Sequence, residues 1–311
     1  IPTWCGTCVV ARARCGRWAA VPGEDQGRGH GAAHDTPSRP QVTIADLDTG
    51  AARLLGANPD EVREAIDLLV IIARPEVVPH LATFLRSGPR DHLTNRALVA
   101  LRGLADPSSI EVLTEFTNHR RVAARRRAYQ ALAVIEDGRV RGLLERGLRD
   151  SDRTVRGAAA LALGEIGARQ SLDLLFRAFE RNVVEAAIAI GKIAPAASIE
   201  RYNGFLGREP LGVMLSGYGQ FLRRDDIALG KKKEMIERLG EVAGVMVRRF
   251  LEDYLRTLPE RTRNRGLIEL KTLLEETIRR IPEEAAGTRV GGAAAPAAPA
   301  TPAVPAEGAA Q

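Results

Sequence analysis

The sequence predicts an all-α protein, an α-solenoid of about five helix–turn–helix repeats with a C-terminal helical hairpin cap. Three observations predict it. An apolar pattern recurs at a spacing near 31 residues. Aromatic residues make up only 4% of the chain, whereas 45% is hydrophobic, so the apolar content is mostly alanine and aliphatic. Helices packed closely on helices suit that content, and a β-sandwich or barrel does not. Helix breakers also fall between successive apolar segments, as paired short helices require.

Residues 1–45 lack periodicity and hold clusters such as Gly23-Glu24-Asp25-Gln26-Gly27 and Pro37-Ser38-Arg39-Pro40. They are expected to be disordered. All three cysteines, Cys5, Cys8 and Cys15, lie here, so the body of the fold needs no disulfide or structural zinc. Trp4-Cys5-Gly6-Thr7-Cys8 has the spacing of a redox motif, but no strand precedes it and no helix start follows it. Adding Cys15 with His30 or His34 makes a zinc set of irregular spacing. The favoured reading is an incidental segment, with no metal and no cofactor.

Residues 46–206 carry the repeat. Ala65, Ala97, Ala128, Ala159 and Ala186 follow at spacings of 32, 31, 31 and 27 residues. Four positions after each alanine stand Leu69, Leu101, Leu132, Leu163 and Ile190. Three further on come Ile72, Leu104, Ile135, Ile166 and Ile193. This stepping keeps the three positions on one helical face, where the alanine admits a neighbouring helix and the aliphatic pair fills the gap. A second apolar segment follows each break: after Pro75, Asp106-Pro107, Asp137-Gly138, Gly167 and Pro195. One such unit cannot bury its apolar face alone, so the units stack.

Residues 207–282 depart from the repeat. Gly212, Gly217 and Gly219 interrupt an apolar segment ending at Phe221-Leu222. Met235, Leu239, Val242, Met246, Phe250, Tyr254 and Leu258 keep helical spacing, as do Leu267, Leu270, Leu274, Ile278 and Ile281 after Pro259. The reading is two long helices in an antiparallel hairpin that packs on the end of the solenoid as a cap. Residues 283–311, with Pro296, Pro299, Pro302 and Pro305, are expected to form a disordered Ala/Pro-rich tail.

The unit Asp152-Arg153-Thr154-Val155-Arg156-Gly157-Ala158-Ala159-Ala160-Leu161-Ala162-Leu163-Gly164-Glu165-Ile166-Gly167 resembles a HEAT repeat of the short bacterial type called PBS-lyase HEAT-like. Asn58-Pro59-Asp60-Glu61-Val62-Arg63-Glu64-Ala65 matches it in part. The second and third units keep the alanine and aliphatic positions without the leading Val-Arg, and the fifth is shortened. The resemblance spans residues 58–206 and implies an armadillo/HEAT-like superhelix. Within it, Asp152 reads as a helix N-cap, Arg156 as a bridge to a carboxylate of an adjacent unit, and Gly164 and Gly167 as sites of close packing and a left-handed turn.

The resemblance implies several functions, which the residues rank. Di-iron hydroxylases built on HEAT repeats use His-Glu pairs, and none of His30, His34, His80, His92 and His119 precedes a glutamate. Nothing marks a tetrapyrrole site, so a bilin-lyase-like or other enzyme-accessory role is the remote alternative, and no enzyme activity is expected. The net charge is +6, and no single block is strongly basic. Basic clusters stand at Arg120, Arg121, Arg125, Arg126 and Arg127, and at Lys231, Lys232 and Lys233. The second helices of the third and fourth units contribute Arg139, Arg141, Arg146, Arg149, Arg169, Arg177 and Arg181. These are opposed by Glu145, Asp150, Asp173 and Glu180. The favoured function is a non-catalytic scaffold that docks an acidic or mixed-charge protein partner on a concave row of second helices. Binding to a nucleic-acid backbone is the alternative, weakened by the scarcity of aromatic residues that would stack a base. No small-molecule substrate is evident. No apolar run spans a membrane and no signal peptide is evident, so a cytoplasmic location is expected.

Overall fold

The structure is a computed structural model that describes residues 44–282. The readings made for the cysteines, His30, His34 and the Ala/Pro-rich tail lie outside the described residues, as does nearly all of the N-terminal segment. The described residues divide into two compact units between Glu209 and Pro210, and no β-strand occurs among them.

The first unit opens with α1 (Ile44–Leu54) and continues as five helix pairs. These are α2 (Pro59–Ile72) with α3 (Val77–Arg86), α4 (Asp91–Leu104) with α5 (Ile110–Thr117), and α6 (Val122–Leu132) with α7 (Gly138–Gly147). The last two are α8 (Arg153–Glu165) with α9 (Leu172–Glu180), and α10 (Ala186–Ile193) with α11 (Ile199–Asn203). The first helices α2, α4, α6, α8 and α10 pack on one another in succession. Of the second helices, α3, α5, α7 and α9 each pack on the first helix of the next pair. This is the α-solenoid that the periodicity predicts. The sequence reading assigned no helix before the first repeat. Yet α1 packs on α2 and α3, with Gly50 bringing its backbone against Leu69.

The repeat positions form the core. Ala65, Ala97, Ala128, Ala159 and Ala186, with Leu69, Leu101, Leu132, Leu163 and Ile190, are all 0% exposed. The third position is less strict: Ile72, Ile135 and Ile193 are buried, whereas Leu104 and Ile166 are half-buried. Four first helices begin at the same point relative to that alanine, with Asn58, Arg90, Arg121 and Asp152 as N-caps. Asn58 and Asp152 accept backbone N–H bonds through their side chains, and the two arginines do not. The sparse aromatic residues gather in the last pairs. Phe179 stacks on Tyr202 at 6.0 Å and tilts on Phe205 at 4.9 Å. The Arg201 guanidinium lies 4.0 Å from the Phe176 ring centre. Large rings here fill space beside α11, which has only 5 residues.

The position eight residues after the repeat alanine turns left-handed in three units. Gly167 has φ +68°, but Ala73 and Ala105 have φ +51° there. A Cβ in this region is penalised, and glycine removes the penalty at some cost in unfolded-chain entropy. Ala105→Gly is therefore expected to raise stability by about 0.5 kcal/mol, and Gly167→Ala to lower it by about 1 kcal/mol. Urea unfolding midpoints test both; equal signs for the two changes would refute the account.

The second unit contains four helices where two long ones were expected: α12 (Leu211–Arg223), α13 (Leu229–Val242), α14 (Val245–Thr257) and α15 (Arg265–Arg280). The apolar spacing from Met235 to Leu258 is continuous, but the backbone breaks at Ala243 and Gly244, with φ +53° and +92°. Gly212 and Gly219 do not interrupt α12. They are notches for α14, because a Cβ at each would stand 3.3 Å from Met246 Cε and 3.4 Å from Phe250 Cε2. Arg248 closes the end of α15 by donating from Nη1 to the Ile278 and Ile281 carbonyls, at 3.0 and 2.6 Å. The Tyr254 hydroxyl donates to the Leu222 carbonyl at 3.1 Å, and burial pushes its pKa up to about 12.

Candidate partner-binding surface

The surface follows from how the repeat distributes arginine. All seven arginines assigned to the second helices are exposed, but they are not equivalent. Arg139 is held by its own N-cap: Nε and Nη2 donate to Asp137 at 3.0 and 2.9 Å. Arg139, through its side chain and its backbone N–H, draws the Asp137 carboxyl down to about 2. Arg141 reaches the next unit and donates to Gln170 Oε1 at 3.2 Å. Arg169 opens a 3-10 turn, Arg169–Ser171, ahead of α9. Arg146 lies in the last turn of α7 and Arg177 in the last turn of α9, at matching positions of successive units. Arg149 follows α7, and Arg181 is the C-cap residue of α9. No hydrogen bond or ion pair engages these four among the described residues.

The opposing acids are largely occupied. Glu145 accepts from the Ser171 hydroxyl at 2.6 Å, and Asp173 pairs with Arg201 at 2.7 Å. Asp150, just after α7, is gripped by Arg125 of α6, the first helix of the same pair. The structure thus removes acids from competition that sequence position alone set against the arginines.

Links between units account for three further arginines, and a spacing near 29 residues between opposite charges was the signal for them. Arg96 grips Asp67 with Nε at 2.7 Å, and Arg86 grips Glu115 with Nη2 at 2.6 Å. Arg121 pairs with Asp91. These pairs are exposed enough for solvent to screen them, so they add little to stability. Arg156 differs from its reading. It does not bridge to a carboxylate of an adjacent unit; its Nη1 donates to the Asp150 and Ser151 carbonyls at 2.8 and 2.9 Å, closing the loop before α8. Arg125, at the equivalent place on α6, makes the same clamp to the His119 and Arg120 carbonyls. Asp152 caps α8 by accepting from Thr154 N at 2.8 Å and Val155 N at 3.4 Å.

The other basic cluster disperses. Lys231 pairs with Glu234, Lys233 ties α13 to Glu269 of α15 at 2.7 Å, and Lys232 is buried. Burial lowers the Lys232 pKa against the pull of Asp225 and Asp226. His119 stacks on Phe116 at 5.2 Å and its Nδ1 accepts from Arg121 N, a packing role. Among the described residues no group of three His, Cys, Asp or Glu side chains is placed to hold a metal, and no helix is long and apolar enough to cross a membrane.

Comparison with known proteins adds a match over part of the chain. Residues 110–194 match the family model for HEAT repeats. No curated protein matches the sequence. Among solved structures, the chain is similar to the complex of CpcE and CpcF of phycocyanin lyase from Nostoc sp. PCC7120. That match has 17% identity over 80% of this chain and 100% of that one, with a TM-score of 0.42. A homology model of the full-length AP-3 complex matches at 12% identity over 77% of this chain, with a TM-score of 0.51; the match spans 51% of that chain. Human deoxyhypusine hydroxylase matches at 15% identity over 76% of this chain and 96% of that one, with a TM-score of 0.38. At these identities the likeness is one of fold. Residues 110–194 thus match HEAT repeats, and the stacked helix pairs with their buried alanine positions carry the same architecture through the first unit.

Proposed function

We propose that this chain is a non-catalytic scaffold that holds an acidic or mixed-charge segment of a protein on its row of second helices, read as the concave row. One observation carries the proposal: Arg146, Arg149, Arg177 and Arg181 are exposed and unpaired among the described residues at matching places of two successive units, whereas Arg86, Arg96 and Arg121 are tied to neighbouring units. In a stack, matching positions on adjacent helices repeat about every 10 Å, so Arg146 and Arg177 present a periodic pair of guanidiniums. Such an array suits carboxylates on one partner chain.

The reversal Arg146→Glu with Arg177→Glu is expected to abolish partner capture in a pull-down while leaving helicity unchanged. Capture at the wild-type level would sink this reading. Unpaired arginines also serve phosphates. That competing function predicts binding to DNA or RNA that weakens steeply as salt rises, and no binding at low salt removes it.

A further inference from the structure

Arginines without a counter-ion also occur on the first helices. On α6, Arg126 and Arg127 are half-buried, and the Nε–H of each is closed off from solvent with no acceptor. A buried donor without an acceptor is rare in folded proteins, and more costly when the group is charged.

The repeat indicates what is missing. Asp67 stands two residues after Ala65, and Arg96 one residue before Ala97. Their side chains form a two-bond pair between α2 and α4, with Nε 2.7 Å from Oδ1. One unit further on, Arg127 holds the place of Arg96, one residue before Ala128. The place of Asp67 is taken by Val99, which is 49% exposed. The basic half of the ladder is repeated and the acidic half is not. Arg126 has a similar history. Its counterpart in the next unit is Gly157, and the carboxylate of Glu185 from the following unit lies against that glycine. One unit earlier, the counterpart of Glu185 is Ala158. By repeat position, both arginines correspond to places where the stack supplies a carboxylate elsewhere and supplies an apolar side chain here.

Two acids that reach this segment are already engaged. On the same segment Arg121 takes Asp91, and Arg125 takes Asp150. Ala158 lines a shallow depression of about 80 Å³ over α4, α6 and α8, together with Arg102, Gln130 and Glu165. Glu165 is the one acid among its lining residues.

We infer that the outward side of α6 is a second docking surface, separate from the second-helix row. Its occupant is an acidic segment of a partner protein that brings carboxylates to Arg126 and Arg127 where Val99 and Ala158 replace the acids of the ladder. Charge complementarity assigns the occupant. A guanidinium presents a planar fork that a carboxylate fills with two bonds, and with Nε closed off the edge left to a partner is the pair of Nη groups.

The test uses the full chain with Arg146→Gln, Arg149→Gln, Arg177→Gln and Arg181→Gln, so that the second-helix row is silent. A fluorescently labelled hexaglutamate peptide is titrated at low salt and followed by anisotropy. Adding Arg126→Gln and Arg127→Gln is expected to weaken binding about tenfold or more. Adding Val99→Asp instead supplies the missing acid from within the fold. It is expected to weaken peptide binding to a similar extent and to raise the unfolding midpoint. Val99 is half-exposed, so this variant decides the matter if the arginine pair proves necessary for folding. Unchanged affinity in the Val99→Asp variant overturns the proposal, as does failure of the peptide to bind at all. Displacement by inorganic phosphate at the peptide's own concentration also overturns it, because the site would then take small anions and not an acidic segment. None of these results bears on partner capture by Arg146 and Arg177.

Discussion

Replacing Arg125 with alanine is expected to destabilise the first unit by about 3 kcal/mol. Arg125 donates from Nε and Nη2 to the two oxygens of Asp150, each at 2.8 Å. Its Nη1 donates to the His119 carbonyl at 3.1 Å. The two side chains are only 13% and 10% exposed, so solvent does not take over when one is lost. Asp150 also accepts from Asp152 N at 2.8 Å, which places it at the start of α8. Removing the arginine strands a carboxylate at the junction of α6, α7 and α8 and frees the loop carbonyls. The pH dependence follows. Burial pushes the Asp150 carboxyl up, but the Arg125 hydrogen bond and the Asp152 N–H outweigh it and hold the pKa below the ordinary 3.8. A depressed folded pKa contributes stability that is present above the unfolded value and is lost as pH falls through the folded value. The gap between wild type and Arg125→Ala is therefore expected to be full at pH 7, to have begun narrowing by about pH 3.8, the ordinary value, and to be lost as pH falls through the lower value that Asp150 has in the fold. Urea unfolding at the two extremes measures it. A gap that stays the same, or one below about 1 kcal/mol at neutral pH, would show that the pair is no more than a surface bridge.

Gly164→Leu is expected to cost about 3 kcal/mol, at the upper end of what overpacking a core does. A Cβ on Gly164 would stand 2.8 Å from the Ala189 Cα and 3.0 Å from its Cβ, so α8 and α10 would have to separate. The obstacle is backbone, which no side-chain rotation relieves. Gly103 supplies the control. It also lies near the end of a first helix, yet a Cβ there meets nothing within 4 Å. Gly103→Ala is expected to raise stability by about 0.5 kcal/mol through helix propensity alone. Thermal or urea unfolding of both variants decides it, and a neutral Gly164→Leu would mean that the contact between α8 and α10 is looser than described.

The pair of glycines shows where sequence reading reaches its limit. Both sit among apolar residues near a helix end, and only the partner helix distinguishes them. The same holds for Gly212 and Gly219, which look like interruptions in sequence and are seats for α14. In contrast, the break at Ala243 and Gly244 hides inside an uninterrupted apolar spacing, because a left-handed turn can restart a helix without changing which side chains are apolar. Arg156 was legible as a structural residue but not for its partner, since a guanidinium in the first turns is close both to the preceding loop carbonyls and to the next unit. Lys231, Lys232 and Lys233 form one run in sequence and have three separate fates on α13, because adjacent residues on a helix point about 100° apart.

The sequence by itself determined the period, the buried face and the helix pairing of the first unit. A helix buried between two others admits only small or aliphatic residues at its contact positions, and that restriction recurs visibly at every turn of the repeat. Tertiary structure alone decided which charges remain available to a partner. Arg125 and Asp150 are 25 residues apart, and Arg96 and Asp67 are 29 apart. Whether a guanidinium meets its carboxylate depends on the stacking register between units, a distance in space that no local pattern records.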